Sequence, residues 1–267
     1  MNCGEALEEA RSLIPLREAR LLLRHVLGVS HATLEAHPEG KVSLQDTARF
    51  RALVARRAEG CPIAYLTGRR EFYGMSFHVT PAVLIPREET ELLVDIAVEK
   101  PERRILDLGT GSGCLAIAVA KQLPQAQVTA VDVSAAALDV ARENATHHGA
   151  SVRFLQGDWF APLDGERFDL ILANPPYVAE GDPHLAQGDV CFEPRGALAA
   201  GPAGLDDIRR IVAGAAEHLL AGGRLWFEHG YDQAQAVAAL LAQAGFVAIE
   251  QRRDLAGIPR VTGGTRP

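Results

Sequence analysis

Several signatures are missing from these 267 residues. No CxxC pair joins any of the four cysteines, Cys3, Cys61, Cys114 and Cys191, and no histidine lies at zinc-ligand spacing from them. That argues against a disulfide framework or a structural metal. The nine histidines form no HxxxH helix face. No apolar run approaches the roughly 20 residues that a membrane helix needs. The start, MNCGEALEEARSL, carries acids where a secretion signal has basic and apolar blocks. A cytoplasmic protein without membrane contact is therefore expected. Internal repeats and low-complexity segments are lacking as well.

Positive charge is also scarce in most of the chain. Residues 1–85 carry 11 Lys+Arg against 9 Asp+Glu, and the remaining 182 carry 16 against 25, so the net charge of -7 belongs to the second part. An acidic surface discourages unspecific adhesion to nucleic acid. What is present, 48% hydrophobic and 23% charged residues, suffices for one large α/β domain and a smaller one.

Up to about residue 60 the pattern is helical. LREARLLLRHVLG places Leu16, Ala19, Leu22, Leu23, Val26 and Leu27 on one side, with Gly28 as the stop. SLQDTARFRALVARRAEG repeats the design, with Ser43 as N-cap, an apolar side of Leu44, Ala48, Leu53 and Val54, and a solvated basic side. REFYGMSFHV reads as a hairpin turning at Gly74 and Met75, and Glu88 to Val98 as a helix. From Arg103 onwards strands (RILDL, QVTAVDV, VRFLQ, FDLILA, GRLWFEHG, VAIEQRRD) alternate with helical segments. Such alternation implies right-handed βαβ units in a mostly parallel sheet, with ligands at the carboxyl ends of its strands.

LDLGTGSG follows the first of these strands and opens a helix. Gly109, Gly111 and Gly113 allow a tight turn and close approach of a ligand, and Asp132 ends the next strand, where a carboxylate can accept both hydroxyls of a ribose. A bare strand-to-helix turn would explain one or two of the glycines, but not all three together with the acid. GDW follows the third strand: Asp158 is placed to accept a bond from an adenine amino group while Trp159 covers the ring, or the segment is an acidic loop with a half-buried tryptophan. NPPY, residues 174–177, stops the fourth strand because two prolines remove two backbone donors. The loop from Val178 to Leu205, containing FEPR, is long enough to suggest a role at a substrate entrance rather than a surface excursion. Arg87 in LIPREET either helps close the pocket or pairs locally with Glu88 or Glu91.

In this order, glycine loop, strand-end acid, GDW and NPPY resemble the seven-stranded S-adenosylmethionine-dependent methyltransferases that methylate a planar nitrogen. PIAYLTGRREFYGMSFHVTPAVLIPREETELL, LDLGTGSGCLAIAVA, NPPYVAEGDPHLAQGDVCFEPRGALAAGPAGLDDIR, LWFEHGYDQ and RDLAGIPRVTGG narrow this: the chain is similar to the release-factor glutamine N5-methyltransferase family over about residues 15–263. The one departure is PREET, where many relatives have proline after the arginine.

The resemblance implies a seven-stranded Rossmann-like catalytic domain over residues 86–267, a helical substrate-docking domain over 1–65 and a β-hairpin linker over 66–85. It implies S-adenosyl-L-methionine as donor, released as S-adenosyl-L-homocysteine, with Gly109, Thr110, Gly111, Ser112, Gly113, Asp132, Asp158, Trp159 and Asn174 around it. Asn174, Pro175, Pro176 and Tyr177 would receive the glutamine of the GGQ loop of class 1 peptide-chain release factors. There Asn174 Oδ1 and the Pro175 carbonyl would each accept one N–H, and Tyr177 would cover the amide. A monomer without direct nucleic-acid contact is expected. An adenine-N6 methyltransferase would share NPPY, but the acidic second part and the lack of a basic, aromatic-studded segment speak against it. A ribosomal-protein glutamine methyltransferase is the nearer alternative, and LIPREET favours the release-factor branch.

Overall fold

The computed structural model describes residues 1–267, and the chain divides into two compact units, Met1–Arg69 and Arg70–Pro267. The first holds five helices: α1 (Cys3–Arg11), α2 (Leu16–Leu27), α3 (His31–Ala36), α4 (Leu44–Ala58) and α5 (Ile63–Thr67). Asn2 and Glu5 cap α1 reciprocally, and Gly28 ends α2 in the left-handed region. Ala19, Leu22, Leu23 and Val26 are buried as the spacing predicts. In α4 Val54 is buried as expected, but Thr47 and Phe50 complete the buried side, while Leu44 is 89% exposed. Leu44 is the first helical residue after the Ser43 cap, and the register that buries Phe50, the largest side chain of the helix, turns it outward. The basic side is paired: Arg51 bonds both carboxylate oxygens of Glu9, and Arg57 those of Glu18.

The hairpin of β1 (Arg69–Phe72) and β2 (Met75–His78) begins at the boundary and, from Arg70 onwards, belongs to the second unit. Its turn is Tyr73–Gly74, one residue earlier than the sequence suggests, with φ of 50° and 70°. Two positive φ values in a two-residue loop match the twist of the strands. A 3-10 turn (Glu88–Thr90) leads into α6 (Glu91–Glu99), followed by β3 (Arg104–Leu108), α7 (Cys114–Gln122), β4 (Gln127–Asp132), α8 (Ala135–His148), β5 (Val152–Gln156) and β6 (Phe168–Ala173). After the loop of residues 178–205 come α9 (Asp206–His218), β7 (Leu219–Glu228), α10 (Ala234–Gln243), β8 (Val247–Arg253) and β9 (Pro259–Thr265). No helix is long and apolar enough to cross a membrane.

The seven-stranded sheet has the order β5-β4-β3-β6-β7-β9-β8, with β3 to β7 parallel and β9 antiparallel between β7 and β8. Both faces are covered, so strand residues alternate between two cores. Ile105, Leu170 and Leu172 pack with α6 and α7, while Leu106, Leu108, Ile171 and Ala173 pack with α9 and α10. Each fully buried large side chain stabilises the sheet by about 1.5–3 kcal/mol. β9 is the strand that the alternation of apolar residues does not disclose. Its Gly263 lies under the Trp226 ring, where an added Cβ would sit 2.1 Å from a ring carbon, so a position that elsewhere in a strand would be branched must be bare. The strand order reverses between β3 and β6, which puts a crevice at their carboxyl ends.

Candidate active site

Five strand ends converge on that crevice: Gly109 follows β3, Asp132 ends β4, Gly157 follows β5, Asn174 follows β6 and Glu228 ends β7. The glycine loop turns with φ of 73°, 55° and 80° at Gly109, Gly111 and Gly113. At Gly111 a Cβ would meet nothing within 4 Å, leaving its backbone open to a ligand, whereas at Gly113 it would meet Ala141 and Ile117 at 3.0 Å. Gly113 thus serves the packing of α7 on α8. Asn144, 1% exposed, anchors the loop by donating to the Ser112 carbonyl (2.9 Å) and to the His78 carbonyl of the hairpin (2.9 Å).

Asp132 accepts one backbone bond on each oxygen, from Gly111 N (2.8 Å) and Ser134 N (2.9 Å). Burial raises its pKa while these bonds oppose the rise, and each oxygen keeps lone pairs for a ligand. Trp159 adopts φ of 50° and packs its ring on Gly109, leaving 3.3 Å to where a Cβ would stand. Its Nε1 donates to Asp207 (3.3 Å), Arg210 bridges Asp207 and Asp158, and so one Asp158 oxygen is already bonded.

A cavity of about 300 Å³ is bounded by Gly109, Gly111, Asp132, Asp158, Trp159, Asn174 and Pro176, among others. Thr110, Ser112 and Gly113 do not line it. Thr110 is 5% exposed and donates instead to Asp107 (2.6 Å), whose buried carboxyl is pushed up to about 7 by desolvation. The residues between the glycines therefore hold the turn from beneath.

A second cavity of about 170 Å³ is lined by Arg87, Asn174, Tyr177, His184, Leu185 and Val190, with others. Leu84, Asn174 and Ala197 line both, so Asn174 stands in the wall where the two meet. The strand does stop at NPPY: no backbone hydrogen bond reaches the Pro175 carbonyl, although the proline rings themselves are buried.

Thr90, Glu228 and Gln233, which the residue patterns left without a role, hold this wall. Asn174 Nδ2 donates to Thr90 Oγ1 (2.9 Å), Thr90 Oγ1 to Glu228 Oε2 (2.6 Å), and Tyr177 OH to Glu228 Oε1 (2.9 Å). The neighbouring carboxylate, followed by burial, pushes the Tyr177 phenol well up. Gln233 Nε2 donates to the Tyr177 carbonyl (3.0 Å), and Gly204 leaves room for that carbonyl, which would lie 2.2 Å from a Cβ. Arg87 pairs with neither Glu88 nor Glu91. It reaches Glu193 of FEPR at 2.5 Å, a carboxylate that also accepts from Ile85 N (3.4 Å). The hint for Glu228 lies in LWFEHG, an acid at the carboxyl end of an apolar strand.

The sheet order, the glycine loop with its strand-end acid, and an asparagine before a proline pair in the wall of two cavities are the features of a methyltransferase. Residues 88–193 match the family described as Methyltransferase small domain, and residues 2–68 match the PrmC N-terminal domain. The release factor glutamine methyltransferase of Bordetella pertussis is 54% identical over 94% of this chain and 95% of its own length. That of Burkholderia pseudomallei is 52% identical over 94% and 92%. The chain belongs to the release factor glutamine methyltransferase family and is, like that family, S-adenosylmethionine-dependent. A methyltransferase structure from Pyrococcus furiosus, 18% identical, shares the fold with a TM-score of 0.58 over 83% of this chain and 98% of that one.

Proposed function

We propose that this protein transfers a methyl group from S-adenosylmethionine to the side-chain amide nitrogen of the glutamine in the GGQ loop of class 1 release factors. The observation that carries the reading is Asn174 in the shared wall of the two cavities. The larger cavity suits the donor: the open backbone at Gly111 admits a close approach, Asp132 offers two oxygens to a ribose, and Trp159 with Val133 gives an adenine apolar surface. Bound S-adenosylmethionine supplies a methyl carbon made electrophilic by a sulfonium sulfur. The smaller cavity suits the flat amide, and the helical unit of residues 1–69 docks the rest of the release factor.

An amide nitrogen is a poor nucleophile because its lone pair is delocalised into the carbonyl, so its orientation must be held tightly. Asn174 Oδ1 and the Pro175 carbonyl accept one N–H each and aim the nitrogen toward the larger cavity. Tyr177 flanks the amide. A neutral acceptor at position 174 fits a sulfonium charge that vanishes during transfer, because a carboxylate there would stabilise the ground state more than the transition state. The methylated amide is acidic enough to lose its extra proton to solvent. Glu228 lines neither cavity and is not the base. Four free cysteines suit the cytoplasm.

The decisive experiment is labelled methyl transfer to intact release factor, to the same factor with its GGQ glutamine replaced, to ribosomal protein and to duplex DNA. Label is expected on the first alone; label on the substituted factor refutes the target. Asp132→Ala is expected to weaken S-adenosylmethionine binding by about 1–3 kcal/mol, the loss of its paired ribose bonds. Unchanged affinity by calorimetry removes Asp132 from the site.

A further inference from the structure

The two ends of the Asn174 amide have the same shape and opposite hydrogen-bonding roles. With Oδ1 toward the cavities it accepts an N–H from an incoming amide. Turned over, it would present its own NH2 and repel that amide. What decides between the two lies behind it. Glu228 is 1% exposed and accepts bonds from Thr90 and Tyr177, one on each oxygen. An ionised carboxylate has no hydrogen to give, so both hydroxyls must point theirs at it. Thr90 then shows Asn174 only lone pairs, and the amide atom 2.9 Å away has to be Nδ2. Oδ1 is left to face the cavities.

We propose that Glu228, acting through Thr90, sets the direction of the Asn174 amide and, through Tyr177, holds the phenol beside it. Both are positioning residues for the transfer, and the proposal rests on the reading of Asn174 as the acceptor for the substrate amide. The two lie 138 positions apart, on the 3-10 turn and on β7, so the direction of one side chain depends on the sheet and the turn being assembled together.

The arrangement depends on proton occupancy. A protonated Glu228 carries a hydrogen on one oxygen, and the hydroxyl facing that oxygen becomes an acceptor. Thr90 is then free to turn its own hydrogen toward Asn174, and Nδ2 loses its place. Desolvation pushes the Glu228 carboxyl up to about 7. Glu89 on the 3-10 turn adds to the rise, Arg260 on β9 opposes it, and Tyr177 and the neighbouring His229 are the other titratable groups around it. The ionised, correctly directed form therefore prevails above about pH 7.

Steady-state transfer to release factor tests the relay. Thr90→Val, which keeps the shape and removes the hydroxyl, is expected to lower kcat about 10- to 100-fold. Its KM and its calorimetric affinity for S-adenosylmethionine should stay within about threefold. Thr90→Ser should recover most of the rate. Wild-type kcat should rise with pH through about 7, and Glu228→Gln should be slow at every pH, without that rise. Wild-type kcat in Thr90→Val or Glu228→Gln beside an inactive Asn174→Ala overturns the relay and leaves the pocket reading intact. An active Asn174→Ala overturns both. A Thr90→Ser as slow as Thr90→Val also overturns the relay, since packing and not the hydroxyl would then be responsible. Should Thr90→Val not fold, Glu228→Gln decides by the same criteria.

Discussion

Asn174→Ala is expected to lower the rate of methyl transfer by about 10²- to 10³-fold, the usual cost of deleting one preorganised hydrogen-bonding group at a reacting centre. The change removes the acceptor in the wall between the cavities but leaves Asp132, Gly111 and Trp159, so calorimetric affinity for S-adenosylmethionine should change little. The deficit should appear in kcat, because the amide can still enter the smaller cavity but is no longer held to one orientation. Asn174→Asp restores an oxygen and adds a negative charge to the wall of the larger cavity, where it would favour a bound sulfonium, so it should bind the donor at least as well and transfer more slowly. Normal turnover in Asn174→Ala would remove this residue from the reaction.

Arg87→Ala is expected to produce the largest loss of order. The Glu193 side chain is fully buried and Arg87 is its charged partner, with Ile85 N its other contact. Stranding a buried carboxylate costs about 3–5 kcal/mol, unless the segment carrying it peels away into water. Glu193 lies in the loop of residues 178–205, whose neighbouring Pro194, Gly196 and Ala197 line the larger cavity. We expect that loop to detach: amide hydrogen exchange over residues 188–198 should accelerate, and kcat/KM for release factor should fall about 10- to 100-fold.

The pH dependence of that variant has a definite sign. Burial raises the Glu193 pKa even with Arg87 present, and removing the guanidinium raises it further. A raised carboxyl contributes most to stability when protonated, and that contribution is lost as pH rises through the folded-state value. The gap between Arg87→Ala and the parent should therefore narrow toward acid. Unchanged exchange and kinetics at pH 8 would show that Glu193 needs no partner.

Much of this was legible along the chain because it rests on local rules. Three glycines at a strand-to-helix turn, an acid at the next strand end and a double proline after a third strand each follow from backbone geometry, and the structure brings Gly109, Gly111, Asp132, Trp159 and Asn174 to one cavity. What escaped depends on distant partners. Arg87 and Glu193 are 106 positions apart, and Thr90 and Glu228 138; neither spacing carries any period. β9 escaped because Gly263 and Gly264 are dictated by the Trp226 ring and by Phe246 rather than by strand propensity. Leu44 misled because a leucine beside a cap looks like part of a stripe, although burial of Phe50 fixes the register.

The antiparallel insertion of β9 also bears on how Glu228 is held. β7, which ends in Glu228, is bonded on one side by β6 and on the other by β9, with Glu228 opposite Val261. His229, beside it, bonds the Arg260 carbonyl through its backbone and Thr262 through its ring. On the relay proposed above, a substitution that loosens β9 from β7 is therefore expected to reach Asn174 through Glu228, although no residue of β9 lines either cavity.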